Sequence, residues 1–213
     1  MKLEAKIHGT TYPVVIEKKR NKNTYIRVNK DYEIYVTTSL FAPTKAILKL
    51  VKANEEAIFH MIEKKRKEEE REKKFYFLGE EYEIYVVPTN QEVEIYDHTI
   101  MIPSEKKLQS FLKKEMKRLF TEHYDYWYEQ FEEPIHKPKL KFRKMKTRWG
   151  VCNRREDSIT LNTRLLEYDV KYLDYVIIHE LSHLVHFDHS REFWEVVGKY
   201  CPEYKQLRKE MRE

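Results

Sequence analysis

The apolar positions of the chain switch between two periods. Over the first 40 residues they fall in short runs, YPVVIEKK, TYIRVNK and DYEIYVTT, rich in β-branched and aromatic residues and separated by turn residues, which predicts strands. From Thr44 to about Lys74 the period becomes helical, with Ile47, Leu48, Val51, Ile58, Phe59 and Ile62 recurring along one face. The tail of that helix, EKKRKEEEREKK, is almost wholly charged with the signs interleaved, the mark of a solvated helix laced by ion pairs. Strands return in KFYFLGEEYEIYVV, QEVEIYD and HTIMIPS. A second helix follows from about Glu105 to Phe131, carrying Leu108, Leu112, Met116, Leu119 and Phe120. Strands followed by a helix thus occur twice. The two openings match weakly at an offset of 70, Gly9, Tyr12, Val14 and Ile16 against Gly79, Tyr82, Ile84 and Val86. A duplication and two independent segments with the same turn chemistry both account for this.

Past Pro134 and Pro138, KLKFRKMKTRWGVC and SITLNTRLL read as two strands around a turn near Arg154–Asp157. VKYLDYVIIHELSHLVH reads as a helix with Asp169 as its N-cap, SREFWEVVGKY as another, and PEYKQLRKEMRE as a short charged third. Strands and helices are segregated rather than alternated, which predicts an α+β fold. The expected division is a β-rich N-terminal region, residues 1–104, with the charged helix at about 44–74, and a second domain, residues 105–213.

Composition narrows this picture. The 213 residues suffice for one generous domain or two small ones, and 41% hydrophobic with 14% aromatic residues exclude a disordered chain. A formal net charge of +5 fits an ordinary basic surface and does not by itself indicate nucleic acid. The two cysteines, Cys152 and Cys201, form neither a CxxC pair nor a disulfide framework. The opening MKLEAKIHGTTYPVVIEKK has no apolar stretch followed by a cleavage site, and no run reaches the roughly 18 apolar residues of a membrane span. The expectation is a reduced, cytoplasmic protein.

The chemistry concentrates in IIHELSHLVHFDHSREFW, Ile177 to Trp194, which holds four of the nine histidines. His179 and His183 stand at i and i+4, on one helix face and about 6 Å apart along the axis, so two imidazoles can converge on one ion. Glu180 lies roughly 100° further around the helix, beside the ion rather than on it, where a carboxylate can hold the attacking water. The helix is apolar nearly all round, through Tyr175, Val176, Ile177, Ile178, Leu181, Leu184 and Val185. Burying two histidines and a glutamate there without partners would cost several kcal/mol; one zinc per chain gives all three a role. A catalytic zinc takes three protein ligands and leaves one position open. His189 follows enough chain to turn back to the metal. His186 lies on the same face nearly two turns along, a poor corner of a tetrahedron, and fits the end of the helix, where a histidine tolerates positive φ. The spacing is also that of metzincins, but those carry glycine where this chain has His186, and the only methionine after the site, Met211, lies in a charged terminal helix.

TRWGVC (Thr147–Cys152), ITLN (Ile159–Asn162) and the stretch from His179 to Trp194 together resemble the YgjP-like predicted zinc metallopeptidases, relatives of SprT-like proteins. The family pattern runs SRWGSC, ISLN, then HELxHL and NHSxxFW; Asp188-His189-Ser190 stands where the family has NHS. The resemblance covers essentially the whole chain and is specific from about Lys144 to Cys201. It implies a zincin-like catalytic half with the active-site helix beside a small sheet, zinc on His179, His183 and His189, and Glu180 as catalytic acid/base. The expected function is hydrolysis of peptide bonds in a peptide or protein substrate by a metal-activated water.

Arg148, Trp149 and Asn162 are candidates for shaping a substrate cleft along the RWGVC and SITLN strands, and equally for holding those strands together. Tyr204 and Arg208 could fold back to steady the oxyanion, or simply belong to a packed terminal helix. Cys152 reads as a small core residue. The stretch 137–148 has seven basic residues and no acid; it could hold nucleic acid phosphates, as a SprT-like DNA-linked protease would need, or form a solvated strand face around inward Leu140 and Phe142. The alternative function is therefore a nucleic-acid-associated protein with a structural metal site. Against it, no fourth protein ligand lies at convincing spacing. Substrate and oligomeric state are not legible.

Overall fold

The computed structural model describes residues 3–211. The chain forms two compact units that divide at Lys73 and Lys74. No helix among the described residues is long and apolar enough to cross a membrane.

In the first unit, β1 (Leu3–Ile7), β2 (Thr10–Lys19), β3 (Tyr25–Val28) and β4 (Ile34–Ser39) form a sheet in the order β1-β2-β4-β3. The central pair is parallel and the outer pairs antiparallel. β1 has no counterpart among the expected strands, although Leu3, Ala5 and Ile7 alternate with Glu4 and Lys6. The expected helix at about 44–74 is two helices, α1 (Thr44–Ala53) and α2 (Glu55–Glu72), broken at Asn54. Asn54 leaves helical geometry, and both its backbone N–H and its side-chain amide bond back to the carbonyl of Leu50. The break lets Ile47 and Val51 of one helix and Ile58 and Ile62 of the other share one core with Ile7, Val14, Ile34 and Val36.

In the second unit, β5 (Phe75–Phe77), β6 (Glu80–Val86), β7 (Glu94–Tyr96) and β8 (Thr99–Ile102) repeat that arrangement, β5-β6-β8-β7, with the same parallel centre and antiparallel flanks. The first hairpin turns match too: His8 and Gly9 at φ 42° and 86°, Leu78 and Gly79 at φ 52° and 90°. Both central residues at positive φ make the tight turn that suits strand twist. The offset of 70 in sequence is thus carried into topology, which favours duplication over coincidence.

A long helix, α3 (Glu105–Gln130), follows, capped by the Ser104 side chain. Then come β9 (Lys139–Arg143), β10 (Gly150–Asn153) and β11 (Ser158–Asn162), a 3-10 turn (Thr163–Glu167), and α4 (Val170–Val185), α5 (Arg191–Tyr200) and α6 (Tyr204–Glu210). The architecture is α+β, as expected. The single strand expected over KLKFRKMKTRWGVC is in fact β9 and β10, separated by six residues and lying on opposite sides of β11, in the order β10-β11-β9. Asn162 causes the split. Buried, it accepts from the N–H of Met145 and of Arg164 and donates to the carbonyls of Met145 and Arg148, so the loop is folded around it. Phe120, Ile159, Leu161, Leu165, Ile177, Leu181 and Phe193 form the centre of one large core. Asp174 of α4 ties in α3 by accepting from Trp127 Nε1 at 2.7 Å and pairing with His123.

The unit boundary falls some thirty residues before the expected 104. Phe77 of β5 lies in the same core as α3 and α4, and Leu78 N–H donates to Leu166 O at 2.8 Å. Gly79 also abuts the start of α4: a side chain there would place its Cβ 2.8 Å from the Asp169 nitrogen, besides needing φ of 90°.

Candidate metal centre

α4 starts at Asp169, whose carboxylate accepts from Lys171 N–H as the sequence predicts, and ends at His186. Its apolar residues are buried nearly all round, Tyr175 to Ile178 and Leu181 among them, and so is Ser182, whose hydroxyl donates to the Ile178 carbonyl. His186 does end the helix, but in extended geometry (φ −125°) rather than at positive φ. Arg154 holds this end: its guanidinium donates to the carbonyls of His183 (2.9 Å) and Leu184 (3.3 Å) and sits 4.9 Å from the Phe187 ring. The turn it braces brings His189 back over the helix, and Ser190 then caps α5.

The donor nitrogens of His179, His183 and His189 all lie within 4.8 Å of one another, and His179 Nε2 and His189 Nε2 are 3.2 Å apart. Two nitrogens about 2.0–2.1 Å from one tetrahedral zinc stand about 3.3 Å apart, so the donor set fits such an ion. His183 Nδ1 faces the carbonyl of His186 at 3.3 Å. Donation there fixes the tautomer and leaves Nε2 unprotonated, which is the usual outer contact of a ligating histidine. His186 thus serves the cluster through its backbone, and its ring is not part of it. His179 Nδ1 is buried without a hydrogen-bond partner among the described residues. On that side packing holds the ring, against Tyr175, Phe193 and Trp194. Phe193, fully buried, lies beneath all three imidazoles at 5.0, 4.5 and 4.9 Å. Burial pulls His179 down to about 3, with the charges of His183, His189 and Arg208 adding to it, and burial also lowers His183. Both are neutral at pH 7, the form that coordinates metal.

Glu180 is 5% exposed. Burial pushes its carboxyl up to about 8, opposed by the Cys152 N–H, which donates to it, and by the charge of Arg148. The carboxylate fits against β10 only because residue 150 is glycine. A Cβ at Gly150 would stand 2.5 Å from Glu180 Oε1 and 2.8 Å from its carboxyl carbon. Glycine is scarce in this chain, four in all, and one at the first position of a strand was the available sequence signal for this contact. Gly150, Arg154 and Phe193 are the residues that sequence reasoning left out. We expect Gly150→Ala to fold and keep its histidine cluster but push the Glu180 carboxylate aside; were that carboxylate to act in the chemistry, the cost would be ten- to a hundredfold in activity, as for a reacting group displaced by about 1 Å. Peptidase kinetics set beside thermal unfolding would check it; unchanged kinetics would show that Glu180 has room to spare.

The remaining candidates divide. Arg148 is exposed, its charge acting on Glu180. Trp149 is half buried, its indole N–H donating to Met211 O at 3.3 Å and its face near Arg164. Asn162 is consumed by the loop it holds, so the structure gives it a scaffolding task. Cys152 is held protonated, its thiol pushed up to about 11 mainly by burial, and it stands outside the histidine cluster. Along 137–148, Leu140 and Phe142 turn inward as expected, while Lys137 pairs with Asp125 and Lys141 with Glu156. The Tyr204 ring stacks on Trp194 at 5.2 Å and the Arg208 guanidinium lies 4.4 Å from the same indole, so the terminal helix packs on α5.

The model of the YgjP-like family, metallopeptidase domain, matches residues 22–213. Two solved structures are similar over part of the chain. The metallopeptidase zymogen abylysin of Pyrococcus abyssi is 26% identical at a TM-score of 0.36, covering 45% of this chain and 90% of its own. The metallopeptidase zymogen jannalysin of Methanocaldococcus jannaschii is 21% identical at a TM-score of 0.35, covering 45% and 92%. No curated protein matches significantly. With the family match spanning nearly its whole length, the chain belongs to the YgjP-like metallopeptidases.

Proposed function

We propose that this metal-dependent peptidase uses a single zinc held by His179, His183 and His189, with Glu180 as general base. The convergence of three imidazole nitrogens within 4.8 Å carries this reading. With only three protein donors the ion would keep an open position, which favours catalysis over a structural role. When bound, zinc supplies Lewis acidity at the scissile carbonyl and lowers the pKa of the attacking water. With the positive charge of the bound ion offsetting the burial that raises its carboxyl, Glu180 would be ionised, take the proton of that water on a carboxylate oxygen and deliver it to the leaving amine. Gly150 and the Cys152 N–H hold the carboxylate where it can do both. β10 is an edge strand beside Glu180, so an extended peptide can align along it by backbone hydrogen bonds, with Arg148 and Trp149 flanking.

Zinc-reconstituted protein should cleave members of a broad peptide library, lose this on chelation and regain it with zinc. Full zinc loading with every peptide and protein left intact would overturn the peptidase assignment. Of the two rival histidines, His189→Ala should lose zinc by elemental analysis and His186→Ala should retain it; the reverse result would reassign the third ligand.

A further inference from the structure

The second helix pair carries a cleft that the proposed hydrolysis does not use. It is an open groove of about 480 Å³ lined by Arg191, Trp194 and Glu195 of α5 and Tyr204, Lys205 and Arg208 of α6. Its aromatic wall is continuous with the metal centre, since the Trp194 indole stacks near His189 at 5.6 Å and 23°, and near Tyr204 at 5.2 Å and 12°. Gly198 makes room for this wall; a Cβ there would meet the Tyr204 ring at 3.3 Å. The Arg208 guanidinium carbon lies 4.4 Å from the Trp194 ring. One indole therefore separates the cation from the metal-site imidazole, about 10 Å at most, which one or two residues of an extended peptide at about 3.3 Å each span once the reach of a carboxylate side chain is added.

The charges in the cleft are unbalanced. Arg191 is neutralised by Glu195 at 2.8 Å. Among the described residues neither Arg208 nor Lys205 has a carboxylate partner. A stacked, half-buried guanidinium has lost part of its hydration and much of its rotational freedom, and its fork matches the geometry of a carboxylate. We infer that this cleft is a specificity subsite that binds a carboxylate of the substrate, within one or two residues of the scissile bond, on Arg208 with Lys205 in support. The inference rests on the peptidase reading for the word substrate, and on the cleft itself for the carboxylate. The carboxylate has two possible sources, an acidic side chain or the free C-terminus of a short peptide.

The test is a set of peptides that place Glu or Gln at each of the four positions around one cleaved bond, each with a free or an amidated C-terminus. We expect at least a tenfold higher kcat/KM for one Glu position over Gln, or for the free over the amidated end, as one charge-assisted contact typically confers. Arg208→Gln should bring that ratio close to one, Arg208→Lys should restore part of it, and Lys205→Gln should reduce it less. An equal loss on every peptide with the ratio unchanged would mean that Arg208 steadies the oxyanion, and would overturn the subsite. So would a wild type with no preference at all. If the wild type cleaves nothing, the peptidase reading fails separately. The subsite is then judged by binding of the same Glu and Gln peptides to zinc-loaded Glu180→Gln protein, followed by tryptophan fluorescence. Tenfold tighter binding of the carboxylate form, lost in the Arg208→Gln double variant, supports it, and equal affinities overturn it.

Discussion

Glu180→Gln is expected to retain zinc and fold yet lose peptide hydrolysis by 10²–10⁴-fold or more, the range for removing a general acid/base. Glutamine has the same length and shape, so its amide oxygen can still accept the Cys152 N–H, and its side chain still fits against Gly150. Only the proton affinity of the group is removed. The effect should fall on kcat more than on KM, because the carboxylate acts on the attacking water rather than on the bound peptide. Steady-state kinetics with metal content measured on the same samples would decide it. A fully loaded variant as active as wild type would reject the mechanism outright.

His183→Ala is expected to abolish stoichiometric zinc and with it all activity. The substitution removes one of three nitrogens that converge within 4.8 Å, and two imidazoles are not a zincin site. The loss should exceed the ten- to hundredfold typical of removing an outer-shell partner. It also opens a gap on Phe193, whose ring lies 4.5 Å from the imidazole, so some loss of stability should accompany it. Elemental analysis of the purified variant, with circular dichroism to confirm folding, is the measurement. Full zinc content would show that the metal is held elsewhere.

Much of this was legible in sequence because the relevant physics is local. An i,i+4 histidine pair shares a face in any α-helix, an apolar surround buries that helix, and Asp169 and Ser190 cap by side-chain chemistry that needs only the next two or three residues. His189 was nearly as legible, since a chain that must return to one ion after a helix end has few places to do so. Strand segments were legible as β-branched runs, but their partners were not. Nothing local in KLKFRKMKTRWGVC says that β9 and β10 sit on either side of β11; the loop bonds of Asn162, some seventeen residues away from Met145, decide that. The division of the chain into compact units was not legible for the same reason, because a β-rich segment does not announce which core its apolar face will join.

What the sequence by itself determined is the inventory of the candidate site: three histidines able to hold a metal, the helix that carries two of them, and the acid beside them. The tertiary structure alone decided what surrounds that inventory. Gly150 presses on Glu180 across thirty residues, Arg154 ties off the helix end that returns His189, and Phe193 sets the floor under three rings. Two of the three cationic side chains of α6, Lys205 and Arg208, come to line one cleft with a tryptophan of α5 in the same way. Each of these is a contact between elements distant in sequence, governed by close packing and by the partners available to buried charge, and no periodicity in the chain encodes it.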